Sequence, residues 1–189
     1  YPDVYVGRLA CRNIFEVRIM VDKIINYETE HQNGLWRTKI TLVADDGLTS
    51  EGNDGDLHIS QSERLSNNFV PDYFNQNKIY LPQYNTVNTG LGRRKPEVND
   101  AIIEAINNGT LILNFIGHGN PEVWTHEQVF VKSTTLPQLD NEDLFFLTAA
   151  TCDFGRFDDP TVQSATELML LQENSGLIGG FTAARAVFS

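Results

Sequence analysis

Two residues have the side chains and the settings for nucleophilic chemistry. Cys152 follows an apolar block, LFFLTAA over residues 144–150, and is flanked by Thr151 and Asp153 with Gly155 and Arg156 close behind. A cysteine after an apolar run is usually a small core hydrophobe. Here the run has already ended, which puts the thiol at an edge rather than inside. His118 follows a second block, LILNFI over residues 111–116, and lies between Gly117 and Gly119. An isolated histidine is more often structural than catalytic. The two glycines change that balance, because they let the backbone turn sharply and leave room for a substrate chain. A free thiol ionises near pH ~8.5 and is a modest nucleophile until a neighbouring imidazole takes its proton. The chemistry this pair can do is acyl transfer. Cys152 would attack, His118 would serve as base, and the N–H groups of Gly119 and Cys152 are available for an oxyanion.

The same groups have a competing use. Zinc needs three or four ligands in a tetrahedron. Cys152, His118, Asp46 and His58 can be assembled on paper, yet no pair has the close spacing of a CxxC or HxxxH motif, so metal is the lesser reading and no metal ligand is assigned. Residues 45–58 read DDGLTSEGNDGDLH, with carboxylates at Asp45, Asp46, Glu51, Asp54 and Asp56. The bland reading is a solvated acidic loop. The functional readings are structural calcium and recognition of a basic or amine-bearing group, although the spacing is not that of an EF-hand. No other cofactor is implied.

Elements must bring these residues together. Short runs, apolar on both faces, suit strands inside a parallel sheet: one from near Trp36 to Ala44, then 78–81, 111–116, 144–150 and 177–181. Helical spacing falls between them. Residues 14–27 have Asn13 as cap and Glu16 three positions on. Pro96 opens a second helix that Gly109 ends. Asp159-Pro160 opens a third, ending before Gly176, and a weaker one covers 60–69. Strands alternating with helices predict an α/β fold, a three-layer α/β/α sandwich with a mostly parallel sheet. In such sheets, sites form beyond the carboxyl ends of strands. Three strands end in reactive groups: Asp45-Asp46-Gly47, Gly117-His118-Gly119 and Thr151-Cys152-Asp153.

The chain has 189 residues, 41% hydrophobic and 21% charged, enough apolar material for a single packed domain. Its net charge of −11 argues against a nucleic-acid partner, which needs a concentrated basic face. The one basic cluster, Arg93-Arg94-Lys95, reads as a solvated loop. The two cysteines do not make a disulfide framework, although a single bridge is open to them. The abrupt start at Tyr1 and the end just past an apolar segment read as a domain taken from a longer protein.

The pairing of a block ending in His-Gly with a block ending in a reactive Cys resembles the peptidase clan of caspases, legumain and the gingipains. The resemblance to gingipains covers nearly the whole 1–189 span, from VGRL at residues 6–9 through VDKIINYE to the last strand. NFIGHGNPEVW and ATCDFGRFDDP look most like the sortase, or carboxy-terminal signal peptidase, of the type IX secretion system of Bacteroidetes. The resemblance implies a caspase-like fold and a cysteine endopeptidase or transpeptidase working through a thioester. Cys152 would be nucleophile, His118 base and then acid, and Gly119 an oxyanion donor. Asp46 would orient the histidine, with Asp45 a close alternative. Asp56 aligns with the residue that recognises a basic side chain, and Trp124 would line the cleft or pack in the core. The implied partners are secreted proteins with carboxy-terminal signal domains and other secretion-system components, at the cell surface on the extracellular face of the outer membrane. The sequence departs from the pattern at Thr151, where alanine is usual, and at Asp46, where gingipains have glutamate. The rival readings are a non-catalytic caspase-like binding module of a secretion apparatus and a metal-dependent hydrolase.

Overall fold

Alternation of side chains along a strand decides where each layer goes. In the first strand, β1 (Lys39–Ala44), residues 40 to 44 are all buried, so both faces of the strand must be covered. The computed structural model, which describes residues 3–4, 6–30, 33–49 and 52–187, supplies that cover with helices on each side. In chain order, the elements are α1 (Ile14–Thr29), β1, α2 (Leu57–Phe69), β2 (Asn75–Tyr80), a hairpin of β3 (Val87–Thr89) and β4 (Gly92–Arg94), α3 (Pro96–Asn107) and β5 (Ile112–Ile116). A second small hairpin, β6 (Val123–Trp124) with β7 (Phe130–Val131), precedes β8 (Phe145–Ala150), α4 (Ala165–Leu170) and β9 (Leu177–Thr182).

The main sheet has the order β2-β1-β5-β8-β9, and every neighbouring pair is parallel. On one face Val43, Ile79, Leu113, Phe115 and Leu147 pack with Val98, Ile102 and Ile106 of α3 and Met169 of α4. On the other, Ile40, Leu42, Ala44 and Tyr80 pack with Ile59 and Leu65 of α2. The result is the expected α/β/α sandwich, and all five expected strands belong to its sheet.

The helix starts show which local signals decide. Asn13 caps α1 as its type predicts, its Oδ1 accepting from the N–H groups of Phe15 at 2.9 Å and Glu16 at 3.1 Å. Pro96 opens α3. The third expected helix is corrected: α4 starts at Ala165, not at Asp159-Pro160. The Asp159 carboxylate is spent on a local turn, accepting from the Thr161 N–H and hydroxyl, whereas Ser164 and Glu167 form a reciprocal capping box that starts the helix. The helix expected over 60–69 starts earlier, at Leu57. The two small hairpins were not anticipated.

α1 is anchored by a charged group. Lys23 is 4% exposed, and its Nζ donates to the carbonyls of Met169, Leu170, Ser175 and Leu177 at 2.8–3.3 Å. Those carbonyls terminate α4 and open β9, so one side chain ties the helix to the far edge of the sheet. Burial lowers its ammonium from 10.5 to about 8.

Candidate active site at the carboxyl ends of three parallel strands

β1, β5 and β8 are neighbours in the sheet, so the three reactive strand ends do converge. Ile116 and Ala150 are register partners, and the Gly117 N–H still bonds the Ala150 carbonyl at 3.3 Å. His118 and Cys152 each stand two residues past that matched pair, on adjacent parallel strands. Both are partly buried. Beyond Cys152 the chain turns at Asp153, a non-glycine residue at φ 56°. The turn is held to the segment after β9 by hydrogen bonds from Asp153 N–H to Arg185 O and Gly155 N–H to Ala183 O. Val187 completes this flank, its N–H and carbonyl lying 3.4 and 3.5 Å from Cys152 Sγ. Cys11 and Cys152 are both free thiols.

The glycines beside His118 are required by close approach. A Cβ on Gly117 would lie 2.5 Å from Asp45 Cβ, and one on Gly119 would lie 2.5 Å from Thr151 Oγ1 and 2.9 Å from the Val123 carbonyl. Gly119 faces Trp124 in an antiparallel bridge whose bonds run from Asn120 N–H to Val123 O and from Thr125 N–H to His118 O. That pattern leaves the Gly119 N–H uncommitted among the described residues. The Cys152 N–H is likewise uncommitted among the described residues.

The carboxylates divide the work differently from the expectation. Asp54, not Asp46, reaches the imidazole: its Oδ2 lies 2.7 Å from His118 Nε2. Asp45 fixes the backbone instead. Its Oδ2 accepts from the His118 N–H at 2.9 Å and its Oδ1 from the Asp46 N–H at 2.8 Å. Burial pushes the Asp45 carboxyl above its ordinary value, although those two N–H groups pull the other way. Asp46 accepts from the Leu48 N–H at 3.0 Å and sits 4.0 Å from Lys95 Nζ. Asp56 is exposed at the position before α2 and makes no capping bond there.

Three further placements decide or correct the expectations. His58, from the first turn of α2, stands edge-on to His118 with ring centroids 5.0 Å apart, and burial followed by the charge of His118 lowers its basicity. Trp124 is 1% exposed and stacked on Phe115 at 4.3 Å, so it is a core residue and does not line a cleft. The basic cluster is not a solvated loop. Arg93 pairs with the buried Glu127 at 2.7 Å and bonds the Leu48 carbonyl at 2.9 Å, while Lys95 is buried on the carbonyls of Leu81 and Tyr84. Asp54 and His58 had one sequence signal, a carboxylate and an imidazole four residues apart at the close of the acidic loop. Their contact with His118 depends on the return of that loop, which the Asp54 N–H to Gly47 carbonyl bond of 3.0 Å secures.

The arrangement defines a class: a parallel α/β/α sandwich carrying His-Gly and Cys at adjacent strand ends, the caspase-like fold of the gingipains. The solved structure of the Arg specific cysteine proteinase gingipain R superposes on all of this chain with a TM-score of 0.76 at 19% identity, using 41% of that chain. A complex of Porphyromonas gingivalis RgpB pro- and mature domains gives 0.71 at 18% identity and 42% of its chain. Among curated proteins, Gingipain R2 of Porphyromonas gingivalis is 25% identical over 149 residues, 72% of this chain but 18% of that protein. Gingipain R1 of the same species matches at the same identity over 13% of its length. The chain thus spans under a fifth of these curated relatives. Residues 1–189 match the family model in full, and the chain belongs to Peptidase family C25.

Proposed function

We propose that this chain carries the catalytic residues of a cysteine peptidase in which Cys152 is the nucleophile and His118 the proton shuttle. The observation that carries the reading is the matched register of His118 and Cys152 beyond Ile116 and Ala150. In the forward step the Cys152 sulfur bonds the scissile carbonyl carbon, its proton passing to His118. The tetrahedral oxyanion rests on the N–H groups of Gly119 and Cys152. Collapse breaks the C–N bond, and His118 returns its proton to the leaving amine. The thioester is then cleaved by water or by an amine. Asp54 holds the imidazole ring, and Asp45 holds the strand end on which it sits. Asp56, exposed beside this loop, is available to meet a basic substrate side chain.

Within the family, the motifs NFIGHGNPEVW and ATCDFGRFDDP support a narrower role. That role is the secretion-system sortase, removing carboxy-terminal signal domains from secreted proteins at the cell surface and joining the product to an amine-bearing glycolipid. Its partners would be those cargo proteins and other components of the secretion apparatus.

The test uses a cargo-derived peptide that spans a signal-domain junction. Wild-type protein should cleave it, iodoacetamide should block cleavage by labelling Cys152, and Cys152→Ala should be inactive while folded. Full activity in Cys152→Ala would end the peptidase reading. For the narrower role, an added amine should be found covalently joined to the released carboxyl end. Release of the free acid alone, at every amine concentration, would remove the transpeptidase part.

A further inference from the structure

Two ligand-bearing side chains, Asp45 and His58, stand beside the proposed base His118, and neither touches the reacting atoms of the acyl-transfer chemistry. A donor atom from each of Asp45, His58 and His118 lies within 4.8 Å of the other two. The His58 side chain is 9% exposed, and its Nε2 is buried without a hydrogen-bond partner among the described residues. A buried imidazole nitrogen left unpaired costs free energy and calls for a partner. His58 Nε2 lies 3.8 Å from Asp54 Oδ2, beyond hydrogen-bonding reach, and that oxygen is the one 2.7 Å from His118 Nε2. Asp45 is the only carboxylate of the three, and its two fixed N–H contacts orient it while leaving lone pairs on both oxygens. Outer contacts of that kind hold metal ligands in place.

We infer that Asp45, His58 and His118 form a zinc site that switches the enzyme off. Two imidazoles and one carboxylate are a donor set suited to zinc, with a fourth position left for water. Ligands at Zn–N distances of about 2.0–2.1 Å stand roughly 3.3 Å apart in a tetrahedron, so donor atoms that lie within 4.8 Å of one another must close by up to about 1.5 Å. The His118 ring can make that movement, being 36% exposed. Bound zinc would take the lone pair with which His118 accepts the thiol proton and would draw the ring from Asp54. The site needs His58, which the acyl-transfer chemistry does not. Cys152 is not a ligand, so the ion acts on the base and not on the nucleophile.

The inhibitory effect rests on the peptidase reading, whereas binding does not, and the experiment separates them. Calorimetric titration of zinc chloride into metal-stripped Cys152→Ala protein should show one equivalent bound. His58→Gln in the same background should bind at least about 10-fold more weakly. No stoichiometric binding, or equal binding by both, overturns the site. Because His58→Gln could disturb α2, the histidine ring signals of the unsubstituted protein supply a second reading. One equivalent of zinc should shift those of His58 and His118 together, and a shift of His118 alone would also overturn the site. In the thiol enzyme, zinc should inhibit cleavage, and the residual activity of His58→Gln should be at least about 10-fold less sensitive. Equal sensitivity would place the inhibitory zinc on Cys152 and refute the switch.

Discussion

His118 Nε2 and Asp54 Oδ2 are 2.7 Å apart, and this contact joins the end of one central strand to a loop that leaves its neighbour. In the proposed mechanism the carboxylate would fix the ring orientation and stabilise the imidazolium formed when Cys152 gives up its proton. Both groups are partly exposed, so the pair acts by geometry more than by a large electrostatic gain. Asp54→Asn is expected to lower kcat/KM by about tenfold, the worth of one charge-assisted hydrogen bond, with the melting temperature unchanged. Steady-state kinetics beside a thermal melt checks it.

Asp46 should behave in the opposite way. Its side chain faces the buried Lys95 and the Leu48 N–H of its own loop, and not the imidazole. Asp46→Asn is expected to cost about 1–3 kcal/mol of stability, because it leaves the buried Lys95 ammonium with only its carbonyl partners. The kcat of the folded fraction should remain within about threefold. Urea unfolding and active-site titration together distinguish this from the orienting role that the sequence suggested.

Gly119→Ala tests the close packing of the two strand ends. The new methyl would press on Thr151 Oγ1 and on the Val123 carbonyl, both too close for a relaxed Cβ. The backbone must shift by a few tenths of an ångström, which costs about 1–3 kcal/mol. The same shift displaces the N–H proposed to hold the oxyanion, and the loss of kcat should be about 100-fold. A variant with normal kcat would show that the Gly119 N–H plays no part in the chemistry.

Trp124 separates packing from recognition. It lies between Phe115, Phe130 and Phe154, with ring centroids 4.3–5.1 Å away. Trp124→Ala should therefore lower stability by about 3–5 kcal/mol. Trp124→Phe should be milder, since it also removes a buried indole N–H that has no partner. Denaturant midpoints measure both, and KM for the residual folded enzyme should not move.

The sequence was most informative where chemistry and periodicity coincide. Apolar blocks ending in His-Gly and Thr-Cys marked both the strands and the sheet edge, because a buried parallel strand has no other way to present polar groups than at its end. Asp54 and His58 were hidden for a physical reason. They reach His118 only through loop closure, which depends on single backbone bonds such as Asp54 to Gly47 and not on any repeating pattern. Trp124 was left between cleft and core, and Arg93 was misplaced, for a related reason. Short hairpins such as β3-β4 and β6-β7 are too brief to show a period, and they fold an aromatic residue into the core and an arginine onto the buried Glu127.

Lys23 gives the pH prediction. Its folded-state value of about 8 lies below its ordinary 10.5. Between those limits the unfolded chain holds the proton that the folded chain has released, so stability rises as pH increases from 8 to 10.5. Below 8 both states are protonated, and the full cost of burying the ammonium is present. A displacement from 10.5 to about 8 corresponds to a rise of roughly 3 kcal/mol across the window. Other tyrosines, lysines and thiols titrate in the same window. The measurement is therefore the difference in unfolding free energy between wild type and Lys23→Met at each pH. That difference should change in the direction of a relatively more stable wild type as pH climbs from 8 to 10.5, and a flat difference would show that the carbonyl cage holds Lys23 charged throughout.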